Sequence, residues 1–470
     1  MEYFNVMWLE DVLKIKTIFT NNKSVQIKNL WINGVSTDTR TLKEGELFIA
    51  LCGENFDGHN YIEDARLKGA CGAIVRKSGF RIHESEVTKK KDFFLIEVED
   101  TLKSLQEISK AYRKKLNLVM VNITGSNGKT TTKEMVYSVL STMFKTYKSE
   151  GNFNNEIGVP RALLSLDKTY DAAVLELGMT HKGDIKCLVE LTIPQVRVLT
   201  NIGPAHLENF SGLEEIAQGK AEIFDFYKEG DTAVINIDDA FVKKFGDTFP
   251  GEKITYSLKE DADVVAKEIE NSSFTLLIYG KDKIRVTLPV FGRHNIYNAL
   301  CAACVGVNRK VPIENIAKAL GSFTPPEGRL ELHKFNNIWI INDTYNANPI
   351  SMKSALESFN QINHGKQKIL VLGDMLELGK KEVDFHVEIG KEIASMKINY
   401  LFTCGRLARY IAESAIINGM LSENILIFQN YLESGDKIFN ILSGDDLILL
   451  KGSHSMKMET IFNYLKEKLE

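Results

Sequence analysis

The sequence predicts an α/β protein with three domains, and three observations lead to this prediction. The chain has 470 residues, of which 44% are apolar, enough for several cores at roughly 100–200 residues per domain. From Leu118 onward, apolar strand-like segments alternate with helical ones, which indicates mostly parallel sheets flanked by helices. Pro325-Pro326-Glu327-Gly328 is the densest group of turn-forming residues in the chain. We therefore expect domains at 1–117, 118–324 and 325–470.

The first two domains differ in their predicted elements. The first is a small α/β domain, in which a basic helix over Thr101–Leu116 follows the short apolar segments Leu47–Leu51, Gly72–Val75 and Phe93–Val98. The central domain has predicted helices that begin at Thr131 and extend over Leu213–Tyr227 and Asn295–Val307, with a β-rich interval at Lys253–Pro289. Its predicted strands are Leu118–Ile123, Ala172–Leu177, Val196–Ile202 and Thr232–Ile237.

The last domain shows the most regular alternation. Five short strands separated by helices predict a Rossmann-like, doubly wound sheet. These strands are Ile338–Asn342, Lys368–Gly373, Tyr400–Cys404, Ile425–Phe428 and Leu447–Lys451, and a helix ends the chain.

Composition excludes several classes of protein. With 58 Lys+Arg against 62 Asp+Glu, the net charge of −4 provides no global positive field, so we expect no nucleic acid partner. Met1–Lys16 lacks the basic and apolar regions of a signal peptide, and no apolar run is long enough to span a membrane. The six cysteines are scattered, which suits reduced thiols in the cytoplasm. Cys301 and Cys304 have redox or zinc spacing, but the apolar residues around them favour two core cysteines.

The strongest local signal is Thr124-Gly125-Ser126-Asn127-Gly128-Lys129-Thr130, between a predicted strand and a predicted helix. Glycines allow backbone N–H groups to face phosphates, the helix N-terminus adds positive dipole, Lys129 neutralises the β/γ oxygens, and Thr130 can bind Mg²⁺. The alternative is a glycine-rich turn with an incidental lysine. Ile123 stands where the full Walker pattern has its first glycine, so the loop is a shortened variant. We predict an ATP-type nucleotide site that includes Thr131.

Two further side chains are predicted at the same sheet edge. Glu176 ends a strand, and His206 lies in the loop after the next strand, so both could reach a phosphate-bound Mg²⁺. A strand-end salt bridge and a surface histidine are the alternatives. Lys220 cannot be distinguished by spacing from a solvent-facing helical lysine.

Four loops of the last domain each follow a predicted strand. They contain Asp343, Gly373-Asp374, Gly405-Arg406 and Lys451-Gly452-Ser453. Because carboxyl ends of parallel strands share one edge, we expect these loops to line one cleft with charges of both signs.

Taken together, these motifs resemble the Mur ligase family, whose members form amide bonds with ATP in the peptide stem of bacterial peptidoglycan. The resemblance covers the whole chain and rests on motifs in the family's order. They are Thr37-Asp38-Thr39-Arg40, Gly53-Glu54-Asn55-Phe56-Asp57-Gly58-His59, the phosphate loop, Asn152-Phe153-Asn154-Asn155-Glu156-Ile157-Gly158-Val159-Pro160, Glu176, His206, Lys220 and Gly292-Arg293-His294-Asn295-Ile296-Tyr297-Asn298-Ala299.

Two C-terminal motifs resemble the branch of the family that adds D-alanyl-D-alanine to UDP-N-acetylmuramoyl-tripeptide. They are Asp343-Thr344-Tyr345-Asn346-Ala347-Asn348-Pro349 and Gly373-Asp374-Met375-Leu376-Glu377-Leu378-Gly379. This resemblance implies a cytoplasmic enzyme, expected to be a monomer, in which an acyl phosphate forms from ATP and is displaced by the dipeptide amine. The third residue of the tripeptide, lysine or diaminopimelate, stays open.

The resemblance also implies roles for individual residues. The UDP-substrate would contact Thr37, Asp38, Thr39, Arg40, Asn154 and Asn155, and ATP would also contact Asn295, Arg329 and Asp343. The dipeptide site would include Tyr345, Asn346, Asn348, Lys451 and Ser453. Two Mg²⁺ ions would be held by Thr130, Glu176, His206 and a carbamylated Lys220, and the catalytic group would be Lys129, Glu176, His206 and Lys220.

Two other functions share part of these motifs. Folylpolyglutamate synthase resembles the family in its ATPase core but lacks a UDP-sugar domain, whereas here residues 1–117 precede the phosphate loop. A P-loop switch or scaffold would use nucleotide hydrolysis to drive a partner, and the second cleft in the last domain argues against it.

Overall fold

The computed structural model of the chain describes residues 4–15, 18–20, 29–53, 56–77, 93–204, 207–362, 365–429 and 433–470. Its helices are α1 (Val6–Leu13), α2 (Ile62–Leu67), α3 (Thr101–Arg113), α4 (Lys129–Leu140), α5 (Gly158–Leu164), α6 (Asp184–Thr192), α7 (Leu213–Ala221), α8 (Ala240–Asp247), α9 (Arg293–Asn308), α10 (Ile313–Ser322), α11 (Pro349–Gln361), α12 (Glu382–Ala394), α13 (Ala408–Ile417), α14 (Ser434–Ile441) and α15 (Glu459–Leu469). Short 3-10 helices occur at Gly58–Tyr61, Glu222–Phe224, Gly379–Lys381, Ser422–Asn424 and His454–Met456.

The strands follow in the same chain order. They are β1 (Phe4–Asn5), β2 (Ile18–Thr20), β3 (Trp31–Ile32), β4 (Gly34–Ser36), β5 (Glu46–Ile49), β6 (Gly72–Arg76), β7 (Phe94–Val98), β8 (Val119–Thr124), β9 (Thr146–Lys148), β10 (Ala172–Glu176), β11 (Val196–Leu199), β12 (Thr232–Asn236), β13 (Glu252–Ser257), β14 (Val264–Glu270), β15 (Ser273–Ile278), β16 (Asp282–Thr287), β17 (Glu331–Phe335), β18 (Ile338–Asp343), β19 (Gln367–Gly373), β20 (Tyr400–Cys404), β21 (Ile425–Phe428) and β22 (Asp446–Lys451).

The chain packs into two compact units. The first consists of Met1–Asn122, Phe144–Met179 and Gly183–Gln195, and the second of Ile123–Met143, Thr180–Lys182 and Val196–Glu470. Residues of the predicted central domain therefore belong to both units. The predicted domain limits at residues 117 and 324 stay a prediction.

The first unit contains a five-stranded sheet in the order β2-β7-β6-β5-β4. Among the described strands of this sheet, β2 alone is antiparallel to its neighbour. One face is covered by a small core to which Phe48, Ile62, Ala65 and Leu95 belong. In the same unit β9 and β10 pair in parallel, and α3 packs against α1, α5 and α6.

Helix α3 is shorter than predicted because Arg113 ends it. The buried Arg113 guanidinium donates to the backbone oxygens of Leu116 at 3.0 Å and Thr192 at 2.8 Å. These bonds fix a turn where the sequence pattern predicted a helix to Leu116, and burial lowers the pKa of Arg113 to about 10.

The central strands of the second unit follow the order β16-β15-β14-β13-β12-β11. Strands β11 to β14 are parallel, and β15 and β16 extend the sheet in antiparallel fashion, which accounts for the predicted β-rich interval. The predicted helix to Tyr227 was too long, since α7 ends at Ala221. The Arg197 guanidinium donates to the backbone oxygens of Ile223 at 2.8 Å and Asp225 at 2.6 Å. These bonds fix the short 3-10 helix Glu222–Phe224 that follows α7.

The C-terminal sheet has the order β17-β18-β22-β19-β20-β21 and confirms the predicted doubly wound domain. Alternate residues of β19 face opposite sides: Leu370 and Leu372 pack with α11, α12 and α13, while Ile369 and Val371 pack with α14 and α15. This two-sided core explains why the strands are continuously apolar.

The sheet has one strand more than the five that the sequence predicted. Strand β17 (Glu331–Phe335) pairs antiparallel with β18 at the edge. Its residues are only partly buried, so it lacks the apolar run that marked the other strands. Among the helices that the structure describes, none is long and apolar enough to cross a membrane.

Candidate active site

Two glycines allow the phosphate loop between β8 and α4 to pack closely. Gly125 has a φ of +150° and Gly128 a φ of +78°, values that other residues rarely adopt. A Cβ on Gly125 would lie 1.9 Å from Thr200 Oγ1, and one on Gly128 would lie 2.4 Å from Asn298 Oδ1. The first turn of α4 has no side-chain cap, so its N–H groups suit an anion.

The loop after β11 supports the phosphate loop by hydrogen bonds. The Ser126 N–H donates to Asn201 O at 2.9 Å, and the Thr200 hydroxyl donates to Asn127 O at 2.8 Å. The Gly203 N–H donates to Ser126 Oγ at 2.8 Å, and that hydroxyl donates back to Gly203 O at 2.9 Å. Sequence reasoning placed the loop at this edge but missed the supporting role of residues 200–203.

Lys129 is half-buried at the start of α4. Its ammonium donates to Gly125 O at 2.9 Å, so the side chain folds over the loop that it follows. Thr131, two residues further along the helix, is buried. A cation held against the loop can meet phosphate charge without a large conformational change.

Helix α9 brings two asparagines to α4. Asn298 Oδ1 accepts from the Thr132 hydroxyl at 3.2 Å, and Asn298 Nδ2 donates to Asn295 Oδ1 at 3.1 Å. Asn295 is therefore linked to the nucleotide loop through Asn298. Sequence reasoning missed Asn298, although its i,i+3 spacing from Asn295 on a helix was a usable signal.

Asp343 and Lys451 meet at the carboxyl edge of the C-terminal sheet. They are register partners on β18 and β22, and Lys451 Nζ lies 2.5 Å from Asp343 Oδ2. The ammonium also donates to Asn346 O at 2.9 Å. Burial raises the pKa of Asp343, and the Lys451 cation opposes that rise. Two residues predicted for different ligands therefore form one pair.

One cationic and two aromatic side chains lie close together near Asp343. The Arg329 guanidinium lies 4.0 Å from the centre of the Tyr345 ring, and the His454 ring is 5.6 Å from Tyr345 on centroids. The Arg329 Nε atom is buried and has no hydrogen-bond partner among the described residues. It is a donor that an anionic ligand could satisfy.

The other predicted dipeptide residues have distinct surroundings. The Asn346 side chain is exposed and accepts from the Ala347 N–H at 2.8 Å. The Ser453 hydroxyl donates to Ala347 O at 3.3 Å and accepts from the Leu376 N–H at 2.9 Å, so it joins two loops. Asn348 caps α11 and also donates to Asn127 Oδ1 of the phosphate loop at 2.8 Å.

The predicted metal ligands are only partly described. Glu176 is buried in the first unit and accepts from Asn154 Nδ2 at 3.0 Å. Lys220 is buried in the last turn of α7 in the second unit, so the solvent-facing interpretation is wrong. His206 lies outside the described residues.

The predicted UDP-substrate motif is held by an ion pair. The Arg40 guanidinium donates to both carboxylate oxygens of Asp38, with Nε 2.9 Å from Oδ1 and Nη2 2.7 Å from Oδ2. The Arg40 contact lowers the pKa of Asp38 to about 2. In the same unit Asn155 Oδ1 accepts from the Gly158 N–H at 2.8 Å and fixes the start of α5. Thr39 O accepts from Lys68 Nζ at 2.7 Å, and Thr37 adjoins Asp38.

Cys52, Asp57 and His59 also lie together, a set of residue types that can bind metals. His59 Nε2 accepts from the Arg76 N–H at 2.9 Å, so the ring proton lies on Nδ1, 2.6 Å from Asp57 Oδ1. Neither ring nitrogen therefore offers a lone pair to an ion. Cys301 and Cys304 are both buried in α9, as expected of core cysteines.

Three family models match successive parts of the chain. Residues 31–113 match "Mur ligase family, catalytic domain", residues 123–306 match "Mur ligase middle domain", and residues 328–454 match "Mur ligase, glutamate ligase domain". A Bacillus subtilis (strain 168) protein named UDP-N-acetylmuramoyl-tripeptide--D-alanyl-D-alanine ligase is 37% identical, over 94% of this chain and 95% of that protein.

Solved structures give the same picture. A crystal structure of MurF from Acinetobacter baumannii is 30% identical and covers 99% of both chains with a TM-score of 0.88. The MurF ligase from Thermotoga maritima in complex with ADP is 26% identical and covers 93% of this chain and 97% of that one, with a TM-score of 0.80.

Proposed function

This chain belongs to the Mur ligase family of ATP-dependent ligases, and we propose that it joins D-alanyl-D-alanine to UDP-N-acetylmuramoyl-tripeptide. The products would be the UDP-linked pentapeptide, ADP and phosphate, in cytoplasmic synthesis of peptidoglycan precursors. The observation that supports this substrate pair is the match to a ligase of that name over nearly the full length of both chains.

The chemistry follows from the bond that is made. A carboxylate is a poor electrophile, so its oxygen attacks the γ-phosphate of ATP, the bond from that phosphorus to the bridging oxygen breaks, and an acyl phosphate and ADP result. The dipeptide amine then attacks the acyl carbon, and phosphate leaves. Charge grows on phosphoryl oxygens, and Lys129 with the N–H groups at the start of α4 would stabilise it.

The family resemblance assigns two Mg²⁺ ions to Thr130, Glu176, His206 and a carbamylated Lys220. Glu176 and the Thr130 hydroxyl supply oxygen ligands, and a carbamate on Lys220 would convert a buried cation into an anion with two oxygens. His206 completes the proposed set. Bound Mg²⁺ would neutralise phosphate charge. The burial of Lys220 supports this proposal, because a lysine on the surface would have no need to lose its charge.

The remaining assignments are proposals at the level of family motifs. We assign 1–117 to the UDP-sugar, 118–324 to ATP, and 325–470 to the dipeptide and to closure over the nucleotide. Thr37, Asp38, Thr39, Arg40, Asn154 and Asn155 would contact the UDP-substrate. Tyr345, Asn346, Asn348, Lys451 and Ser453 would contact the dipeptide, and the enzyme would act as a monomer.

One assay tests the function. Purified protein receives ATP, Mg²⁺, D-alanyl-D-alanine and a UDP-tripeptide that contains lysine or diaminopimelate, and the product mass is measured. We expect the mass of the UDP-tripeptide to increase by one dipeptide residue unit. We also expect phosphate release to require both substrates. A nucleotide-driven switch would instead release phosphate from ATP without them.

A further inference from the structure

The carboxamide of Asn348 has a fixed orientation because it caps α11. Its Oδ1 accepts from the Ser351 N–H at 2.9 Å, and the Asn348 N–H donates to Ser351 Oγ at 3.0 Å. Since the oxygen faces the first turn of the helix, the NH2 group faces away from it.

That NH2 group fixes a second carboxamide, on the phosphate loop. Asn348 Nδ2 donates to Asn127 Oδ1 at 2.8 Å, so the Asn127 oxygen is turned toward α11 and its NH2 group away from it. Asn127 Nδ2 is buried and has no hydrogen-bond partner within the described part of the chain. A flip of the Asn127 amide would set two NH2 groups against each other.

The backbone of Asn127 cannot adjust independently of its neighbours. Its N–H donates to Asn201 Oδ1 at 2.9 Å, and its oxygen accepts from Thr200 Oγ1 at 2.8 Å and Asn201 Nδ2 at 3.0 Å. The backbone of Asn127 is therefore held, while its carboxamide could adopt either of two orientations. The hydrogen bond from Asn348 determines which orientation it adopts.

A second contact seats α11 on the same region. Gly203, which is bonded to Ser126 of the phosphate loop, packs so closely on Ile350 that a Cβ would lie 2.0 Å from Ile350 Cδ1. The first turn of α11 thus has both an apolar and a polar contact with the nucleotide loops.

We propose that Asn348 is a positioning residue for the nucleotide, which holds the Asn127 carboxamide so that its unsatisfied NH2 group and not its oxygen is the group that binds phosphate. The inference rests on the proposed function only in placing ATP at this loop. Phosphate oxygens at neutral pH are hydrogen-bond acceptors, so an NH2 group binds them while a carboxamide oxygen repels them. This role is separate from a contact of Asn348 with the dipeptide.

The test compares Asn348→Asp with the wild type in ADP binding by calorimetry, with Mg²⁺ and without the UDP-substrate or dipeptide. Aspartate caps helices as well as asparagine does, so the melting temperature should stay unchanged. The new carboxylate draws the Asn127 NH2 group toward itself and turns the oxygen outward. We expect ADP to bind about tenfold more weakly, the loss typical of one hydrogen bond to a charged group.

A double-mutant cycle separates positioning from a general effect of charge. Asn127→Ala should weaken ADP binding, and adding Asn348→Asp to it should cause no further loss, because the group that Asn348 orients is gone. Losses that multiply, or wild-type ADP affinity in Asn348→Asp, would overturn the proposal. Asn348→Ser, which keeps a cap without the second donor, should give a smaller loss and serves if the aspartate variant misfolds.

A matched control exists at another asparagine cap. Asn5 Oδ1 accepts from the Trp8 N–H at 3.0 Å at the start of α1, so Asn5→Asp makes the same chemical change. It should leave ADP affinity unchanged. A wild-type protein that binds ADP but forms no ligation product would contradict the proposed function and not this inference, whereas a wild type that does not bind ADP would contradict the inference.

Discussion

Lys451 and Asp343 lie opposite each other on neighbouring parallel strands, with the ammonium nitrogen 2.5 Å from the carboxylate oxygen. Both side chains are almost fully removed from water, at 2% and 12% exposure. In such a buried ion pair, each charge compensates the desolvation of the other. When one partner is removed, the remaining charge is buried without compensation, which is strongly unfavourable.

We expect Lys451→Met to destabilise the C-terminal domain by about 3–5 kcal/mol, because it leaves the Asp343 carboxylate buried without its paired ammonium. Urea unfolding followed by intrinsic fluorescence measures the change. Lys466→Met, at a half-exposed lysine of α15, should change stability by no more than about 0.5 kcal/mol. An unchanged transition in Lys451→Met would show that the pair contributes nothing.

His294 should stay uncharged throughout the neutral range. Burial, with a smaller effect of the Lys451 cation, lowers the pKa of His294 from 6.5 to about 4. The unfolded chain therefore binds more protons than the folded one between these values, so stability should fall as the pH decreases from about 6.5 to about 4. NMR titration of the ring should show an inflection near pH 4, and an inflection near the ordinary value would contradict the prediction.

Lys129→Ala should nearly abolish ligation while the protein stays folded. The half-buried ammonium meets charge that grows in the transition state, and loss of one such group costs on the order of 10²–10³ in rate. Steady-state phosphate release and circular dichroism measure the two parts. A variant that kept more than about a tenth of the wild-type rate would refute the phosphate assignment.

Lys220→Ala should lose activity that short carboxylic acids restore in part. If Lys220 works as a carbamate, acetate or formate can occupy the vacated anionic position. The assay is ligation rate against acetate concentration, with chloride at equal ionic strength. Recovery that chloride matches, or near-normal turnover without any acid, would count against the carbamate.

The control for this experiment has to be an exposed lysine. Lys133 on α4 follows the phosphate loop, and a neutral effect of Lys133→Ala would be expected from sequence alone. The structure shows Lys133 buried, with Nζ 3.5 Å from Glu134 Oε1, so its loss would disturb the helix. Lys318→Ala, at an exposed position of α10, should be neutral and insensitive to carboxylates.

Much of the fold could be predicted because the signals are local. The strand Tyr400–Cys404 and the strand Ile425–Phe428 have the predicted limits, since both are short apolar runs between turns. The ends of elements that are fixed by contacts with residues distant in the sequence were predicted less well. Helix α3 ends where the Arg113 side chain takes up backbone oxygens of residues as far away as Thr192. Edge strand β17 was missed because its residues are only partly buried, so apolar and polar residues do not alternate clearly along it.

The amino-acid sequence by itself determined the alternation of strands and helices from Leu118 onward, the phosphate loop and its glycines, and the family motifs. Each of these depends on neighbouring residues and on the backbone geometry that they allow. Tertiary structure decided which of these residues act on one another. It buried Lys220, paired Asp343 with Lys451, and joined Asn348 to Asn127 across 221 positions of the chain. Hydrogen bonds and desolvation depend on distances in space, and a linear pattern does not contain those distances.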